Sequence, residues 1–355
     1  MQHKIKNKKL QNAIFWTVLL IAYYDAVNFY LPSTLTNKYL YLCSPIPYML
    51  TETIVQILSK FQNSRIYDLK RLDYAGNLKI QKIILRSSIG LTALIGVVNN
   101  LYLSIVKMLF IVLISVILNY FLGYLIQKVD NKGLGNGILI IFSIIILPDL
   151  THTFQIFFSF NLLISIVLIS AIIALIAFLL TAKRKEIVLI EDQIGAATKG
   201  YLYLPLNVSS IMPLILAELL YVFTDIKVDY IKYILYIISI IFFNFIYATI
   251  ATDPIDIADD LLEHHTCLLI KNKKYILAEQ TEKYLKKRIY ILAIWSSLIL
   301  SLISGLSLLL GMITHNIDLA IFLGVNIEIL LQSTFLIAED TERYLILKRI
   351  RFLIR

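Results

Sequence analysis

The stretch Lys132-Gly-Leu-Gly-Asn-Gly-Ile-Leu-Ile-Ile141 decides how this chain folds. Three glycines and an asparagine in so short a run are compatible with a phosphate-cradling loop. Such a loop, however, needs a strand before it and a lysine or acidic partner at a fixed distance after it. Here the apolar span 102–127 comes before, and another apolar helix begins within the motif. The run therefore reads as a helix stop followed at once by a helix start. Gly133 and Gly135 permit positive φ, Asn136 caps the next helix, and Gly137 completes the turn. Two membrane helices can turn tightly there at one face of a bilayer.

Composition sets the class. The chain has 355 residues, of which 59% are hydrophobic and only 16% charged, far from the balance of an ordinary soluble domain. A bilayer core of about 30 Å needs roughly 20 apolar residues per helix. Apolar spans are expected at 13–31, 45–59, 83–98, 102–127, 135–149, 157–181, 207–224, 229–251, 289–312 and 317–338, which makes an all-α polytopic membrane protein of ten helices. The second, third and fifth spans are short for a full crossing. No signal-peptide cleavage pattern precedes the first, so the amino terminus is expected to be retained.

Basic residues give the orientation. All but Lys38, Lys107, Lys227 and Lys232 of the 33 lysines and arginines lie in alternate loops or at the termini. Positive loops stay in the cytoplasm, so both termini are expected to be cytosolic, in agreement with an even span count. The net charge of +9 is mostly this topological signal and requires no nucleic acid. Anionic lipid headgroups would favour it too. Cys43 and Cys267 fall on opposite sides of the membrane by this topology and do not pair. His264, His265 and Cys267 make a poor metal site, because adjacent histidines point in different directions on a helix and no fourth ligand is in view. No nucleophile–base pair, metal constellation or phosphate motif is visible, so neither an enzyme nor a cofactor is expected.

Three loops are long, 60–82, 182–205 and 253–287, and all three fall on the cytosolic side. Mass on that face implies a cytoplasmic partner. In the last loop, Asp253 is placed to cap a helix that opens with Pro254, and acidic residues crowd that helix start before the basic Lys271–Lys274 patch. A solvated amphipathic connector would show the same charge pattern.

Four segments in order then resemble one family. Pro47-Tyr48-Met-Leu-Thr-Glu-Thr-Ile-Val-Gln56 is similar to Pro-Tyr-Ile-x-Ala-Ser-Ile-Ile-x-Gln, and Lys132–Ile141 to Lys/Arg-Gly-Ile-Gly-Asn-Gly-Ile-Ser-Leu-Ile-Ile. Tyr203-Leu204-Pro205-Leu206-Asn207-Val208 with Ile211 and Pro213 resembles Leu-Pro-Leu-Lys-Val-Asn followed by Val-Ile-Pro. Phe242 to Leu262 keeps an aromatic-rich helix and then Asn-Pro-x-x-x-Ala-x-x-Leu, here Asp253-Pro254 through Ala258 and Leu261, and Thr281 to Tyr284 echoes the Thr-x-x-Tyr that follows. The chain resembles SecY, the channel subunit of the protein-export translocon, over roughly 45–345.

That resemblance implies two inverted pseudo-symmetric halves, 1–155 with spans one to five and 156–355 with spans six to ten, around a central hourglass pore. It implies an apolar ring at the waist, drawing on Met49 and Thr53, Ile140 or Ile144, Ile215, and Ile327 or Ile329. Spans two and seven would part as a lateral gate toward lipid. The cytosolic loops 182–205 and 253–287, with Lys199, Lys271, Lys273 and Lys274, would dock a SecA-like ATPase, and a small SecE-like membrane subunit is implied. The plasma membrane is the expected location.

Departures from the family pattern point to a subtype. Residues 32–44 are too short for the usual extracellular plug, and Thr53 stands where the family prefers Ile. The docking loops read Ala196-Ala-Thr-Lys199 and Ile276-Leu277-Ala278 in place of the family's arginines. Three carboxylates, Glu52, Glu218 and Glu328, lie in spans two, seven and ten, where each costs several kcal/mol unless it meets water or a partner. They fit either a pore wetter than usual or simple hydrogen bonds to neighbouring helices. The short plug stretch, the changed docking loops and the small size together resemble the accessory paralogue of Gram-positive bacteria, which exports serine-rich glycosylated adhesins with a dedicated ATPase. A proton-coupled small-molecule transporter would also use ten spans and buried carboxylates, but it predicts neither the basic loops nor the four ordered motifs.

Overall fold

The computed structural model describes residues 2–30, 44–59, 73–100, 104–160, 162–191, 197–209, 212–223, 229–264, 266–270, 273–275, 278–315 and 322–353. They form eleven helices and four short strands in two compact units, Met1–Pro148 with Ile329–Arg355, and Asp149–Glu328. The stretch 32–44, invoked for the plug, lies outside the described residues apart from Ser44.

The first unit holds α1 (Gln2–Tyr30), α2 (Ile46–Leu58), α3 (Asp73–Asn99), α4 (Ile105–Lys132), the opening turns of α5 (Gly137–Phe160) and most of α11 (Leu323–Leu353). Small residues let its helices approach. A Cβ on Gly123 of α4 would lie 2.8 Å from Leu85 Cδ1 of α3 and 3.0 Å from Tyr48 Cδ2 of α2, so three helices meet there. Polar side chains then tie them: the Tyr23 hydroxyl donates to the Leu118 carbonyl at 2.9 Å, and Gln127 Nε2 to the Gln81 carbonyl at 2.6 Å.

The second unit holds the rest of α5, α6 (Leu162–Thr181), β1 (Lys183–Glu191), β2 (Ala197–Pro205), α7 (Met212–Phe223), α8 (Asp229–Ala251), α9 (Pro254–Glu263), β3 (Thr266–Ile270), β4 (Lys273–Tyr275), α10 (Ala278–Thr314) and the start of α11. With 37 residues α10 is about 55 Å long, well beyond a bilayer's apolar core. The surplus carries the sheet. Leu285, Ile289, Leu292 and Ala293 of α10 form one buried cluster with Val188 of β1, Leu204 of β2, Leu268 of β3 and Ala258 of α9. Asn244 of α8 donates to the Ala293 carbonyl at 2.9 Å and also pairs with Ser209, while the Thr252 hydroxyl donates to the Val208 carbonyl at 2.9 Å. The segment after β2 is thereby fastened to α8, and α8 to α10.

Each expected span meets a helix, but only seven helices among the described residues are long and apolar enough to cross a membrane: Lys9–Val27, Leu78–Val98, Ile105–Lys132, Gly137–Ser159, Leu162–Thr181, Ile231–Ala248 and Glu279–Thr314. The other three have clear reasons. The 13 residues of α2 cover about 20 Å and the 12 of α7 about 18 Å, while α11 is dense in charge from Glu339 onward. The purely helical expectation also misses the antiparallel sheet, ordered β2-β1-β3-β4. Large apolar side chains stay open on the long helices, among them Val106 and Phe110 of α4, Leu163 of α6 and Phe242 of α8. A hydrocarbon solvent accounts for such faces, since every helix satisfies its own backbone.

Candidate functional site

The Gly-rich run forms the expected turn, closed by residues from far along the chain. Gly135 takes φ +74°. Asn136 Oδ1 accepts the Leu139 N–H at 3.1 Å, as a capping side chain should. Gly133 is corrected: its φ is −88°, open to any residue, and what it supplies is space. A Cβ there would meet the Val129 backbone at 2.7 Å, and one on Gly137 would meet Ile126 Cα at 3.0 Å.

The amides of this turn are satisfied one after another. Leu134 N–H donates to Thr17 Oγ1 of α1 at 3.0 Å, Gly135 N–H to Asp340 Oδ2 of α11 at 2.8 Å, and Gly137 N–H to Asp130 Oδ1 of α4 at 2.8 Å. Two carboxylates thus sit at the amino end of α5, where the helix dipole favours negative charge. The turn joins α1, α4, α5 and α11 at one point. Sequence reading missed Thr17, Asp130 and Asp340. Asp130, seven residues before Gly137, leaves a local trace, whereas Asp340 leaves none.

In the first unit, the ring residues Met49, Thr53 and Ile140 are buried and Ile144 is half-buried; in the second, Ile215 and Ile327 are buried. Ile329 is buried as well. Met49 and Thr53 are one turn apart on α2. The Thr53 hydroxyl donates to the Met49 carbonyl at 2.9 Å, so its proton is taken up by its own helix.

The three carboxylates fall on α2, α7 and α11, the same helices that are too short or too charged to read as spans. Glu52 Oε1 accepts from Gln56 Nε2 at 3.3 Å. Among the described residues, Glu52 Oε2, Glu218 Oε1 and both Glu328 oxygens have no hydrogen-bond partner, and Glu328 is 0% exposed. Within the second unit, Tyr236 of α8 lies in electrostatic reach of both Glu218 and Glu328, with Ser304 of α10 beside its phenol. Burying polar atoms without partners costs on the order of 1–3 kcal/mol each, so these positions are held against stability.

The two long loops expected to dock a partner are not separate. Strands β1 and β2 of the first loop and β3 and β4 of the second share one sheet, in which Val188 pairs with Leu268 and Leu189 with Cys267. Lys199 is exposed on β2; Lys273 and Lys274 lie on β4; Lys271 lies outside the described residues. At the loop that opens α9, the Asp253 carboxylate accepts the Ile255 N–H at 3.0 Å and Pro254 takes the first helical position, as expected. An unanticipated ionic lock fastens the sheet to α10. Buried Glu186 of β1 meets Arg184 at 2.8 Å and Arg288 at 3.5 Å, and accepts from the Tyr284 hydroxyl at 3.0 Å. Arg288 Nε also donates to that hydroxyl at 2.8 Å.

Comparison with known proteins agrees with this picture. The SecY family model matches residues 45–334. Similar solved structures include a SecY protein described for a plug domain that stabilises the closed state of the translocation channel, 15% identical with TM-score 0.60, covering 94% of this chain and 93% of that one. Another is a protein-conducting channel, 14% identical with TM-score 0.56 and the same 94% and 93% coverage. A third is Sec61 from a canine ribosome–channel complex of the endoplasmic reticulum, 15% identical with TM-score 0.53, covering 94% and 93%. At such identities the likeness is one of fold. No curated protein matches the sequence.

Proposed function

Because this chain belongs to the SecY family, we propose that it is the protein-conducting subunit of a bacterial Sec translocase, carrying polypeptides across the plasma membrane with both termini in the cytoplasm. The observation that carries the reading is the family match over 45–334, joined to a SecY-type fold that covers 94% of the chain. Halves 1–155 and 156–355 contribute five spans each, with Met49, Thr53, Ile140, Ile144, Ile215 and Ile327 as the ring that seals the pore between cargoes. A constriction of this kind excludes water when empty and yields to a passing chain. Helices α2 and α7 are the lateral gate. The channel performs no bond chemistry, so a SecA-like ATPase docks on 182–205 and 253–287 to supply energy, and a SecE-like subunit clamps the helices.

The subtype is an accessory channel serving hydrophilic, glycosylated adhesins. Support comes from the docking loops, which lack the family's arginines at Ala196–Lys199 and Ile276–Ala278, and from the carboxylates of α2, α7 and α11. Glu52, Glu218 and Glu328 would wet the pore or gate as those helices move. The test is the exported and cell-wall proteome with and without the gene. Loss of one or a few large glycoproteins from viable cells is expected. General precursor accumulation with lethality would make it the housekeeping channel, and an unchanged proteome would overturn the translocase reading.

A further inference from the structure

The β1–β2 hairpin begins where a membrane helix ends. Only Ala182 separates Thr181, the last residue of α6, from Lys183, the first of β1. Ala182 N–H still bonds to the Phe178 carbonyl at 2.9 Å, and Leu206 N–H returns to the Ala182 carbonyl at 2.8 Å, so both feet of the hairpin are pinned to the end of α6. That helix carries no charged residue in its 20 and has a mean hydropathy of 3.2. A strand rises about 3.3 Å per residue, which puts Lys185 and its opposite number Tyr203 about 10 Å beyond the helix end.

Residues directly opposed across two strands share a face. Lys185 pairs with Tyr203 and Ile187 with Tyr201, and Lys183 follows the same alternation. The inner face, with Val188 and Leu204, is buried in the cluster on α10. Toward the membrane the outer face is bare, with Tyr201 58%, Tyr203 49% and Ile187 42% exposed, while Leu189 farther along the same face is buried. Lys185 Nζ lies 5.6 Å from the Tyr203 ring and 5.9 Å from the Tyr201 ring, and the rings are 6.4 Å apart. Among the described residues neither Lys183 nor Lys185 is paired with a carboxylate, because Glu186 faces inward to Arg184 and Arg288.

We propose that the membrane end of this outer face is a binding site for an anionic lipid headgroup, with Lys183 and Lys185 taking the phosphate and Tyr203 lying beside them. Charge and position both favour lipid. Ammonium groups attract an anionic leaflet, and tyrosine is the side chain that settles at the boundary between hydrocarbon and water. The tether keeps this part of the hairpin within reach of the bilayer. Lys199, opposite Leu189, is about 23 Å up the strand and out of the headgroup layer, free for a cytosolic partner. The site rests on α6 crossing the membrane and is independent of the cargo.

The full chain carries two tryptophans, Trp16 and Trp295. Replacing both with Phe and adding Tyr203→Trp makes one reporter at the site. The protein is reconstituted in phosphatidylcholine vesicles with increasing phosphatidylglycerol, and one lipid at a time is brominated near the headgroup end of its acyl chains. Quenching is expected to be stronger with brominated phosphatidylglycerol than with the same fraction of brominated phosphatidylcholine. Lys185→Gln should raise the phosphatidylglycerol fraction needed for half-maximal quenching roughly fivefold, while Lys185→Arg keeps it unchanged. Equal quenching by both lipids would overturn the headgroup site. Absence of quenching by either would also overturn it, and would give the face to a cytosolic protein.

Discussion

The carboxylate of Asp340 accepts the backbone N–H of Gly135 at 2.8 Å across 205 residues of sequence, joining the last helix to the turn that opens α5. Asp340 supplies the acceptor for the Gly135 N–H, beside the Leu134 and Gly137 N–H groups that donate to Thr17 and Asp130. Asp340→Ala should therefore lower stability. A hydrogen bond to a charged group contributes about 1.5–3 kcal/mol, and since 34% of the Asp340 side chain is open to solvent, the lower end applies. Asp340→Asn keeps an acceptor and should lose less. Thermal unfolding in one detergent orders the two, and equal midpoints for both variants and the parent would refute the role.

Two glycine-to-alanine changes should move stability in opposite directions. At Gly135 a Cβ is disfavoured by the left-handed backbone, costing about 1–2 kcal/mol, and would press on Ile337 Cγ1 at 2.8 Å. At Gly305, inside α10, a Cβ would meet nothing within 4 Å, so alanine should stabilise the helix by about 0.5–1 kcal/mol. The same unfolding assay reads both. A loss at Gly305 as well would refute the open space beside α10 there.

Much of this organisation is legible in the sequence, for physical reasons. The cap at Asn136, the Asp253–Pro254 helix start and the approximate place of each helix depend on neighbours a few residues away, so composition and spacing reveal them. What escapes is what depends on distance. Lys183-Arg-Lys-Glu186 reads as an ordinary positive loop, and Thr266–Ile270 is too short to announce a strand; only their pairing across more than seventy residues makes a sheet. Glu186 looks like one more surface charge until the fold turns it toward Arg288. The ten-span expectation exceeds the seven helices that qualify because α2 and α7 are too short and α11 is charged in its second half.

The Glu186 lock yields a proteolysis test. Its side chain is only 10% exposed, whereas Arg184 and Arg288 are 38% and 28% exposed. Removing the acid leaves Arg288 and Tyr284 to share one hydrogen bond near the sheet. Partial solvent access weakens each ionic contact, so Glu186→Gln should cost about 1 kcal/mol and act locally. Limited trypsin digestion should cut faster at Lys183, Arg184 and Lys185, with little change in the global midpoint. A tryptic pattern identical to the parent would mean that the apolar cluster around Leu268 alone holds the sheet.

Glu328 supplies the sharpest contrast between stability and transport. Both its oxygens are buried without partners among the described residues, so replacing the carboxylate by an apolar group of similar length removes a penalty rather than an interaction. Glu328→Met should leave the protein as stable or more stable, by about 1–3 kcal/mol. If the carboxylates of α2, α7 and α11 serve to wet the path of a hydrophilic cargo, the same change should slow export, and combining it with Glu52→Gln and Glu218→Gln should slow it further. The pairing of a raised unfolding midpoint with reduced export is what a functional group held against stability produces. Export of the preferred substrate unchanged in the triple variant would remove the carboxylates from the transport path and leave them as buried polar groups of the helix bundle.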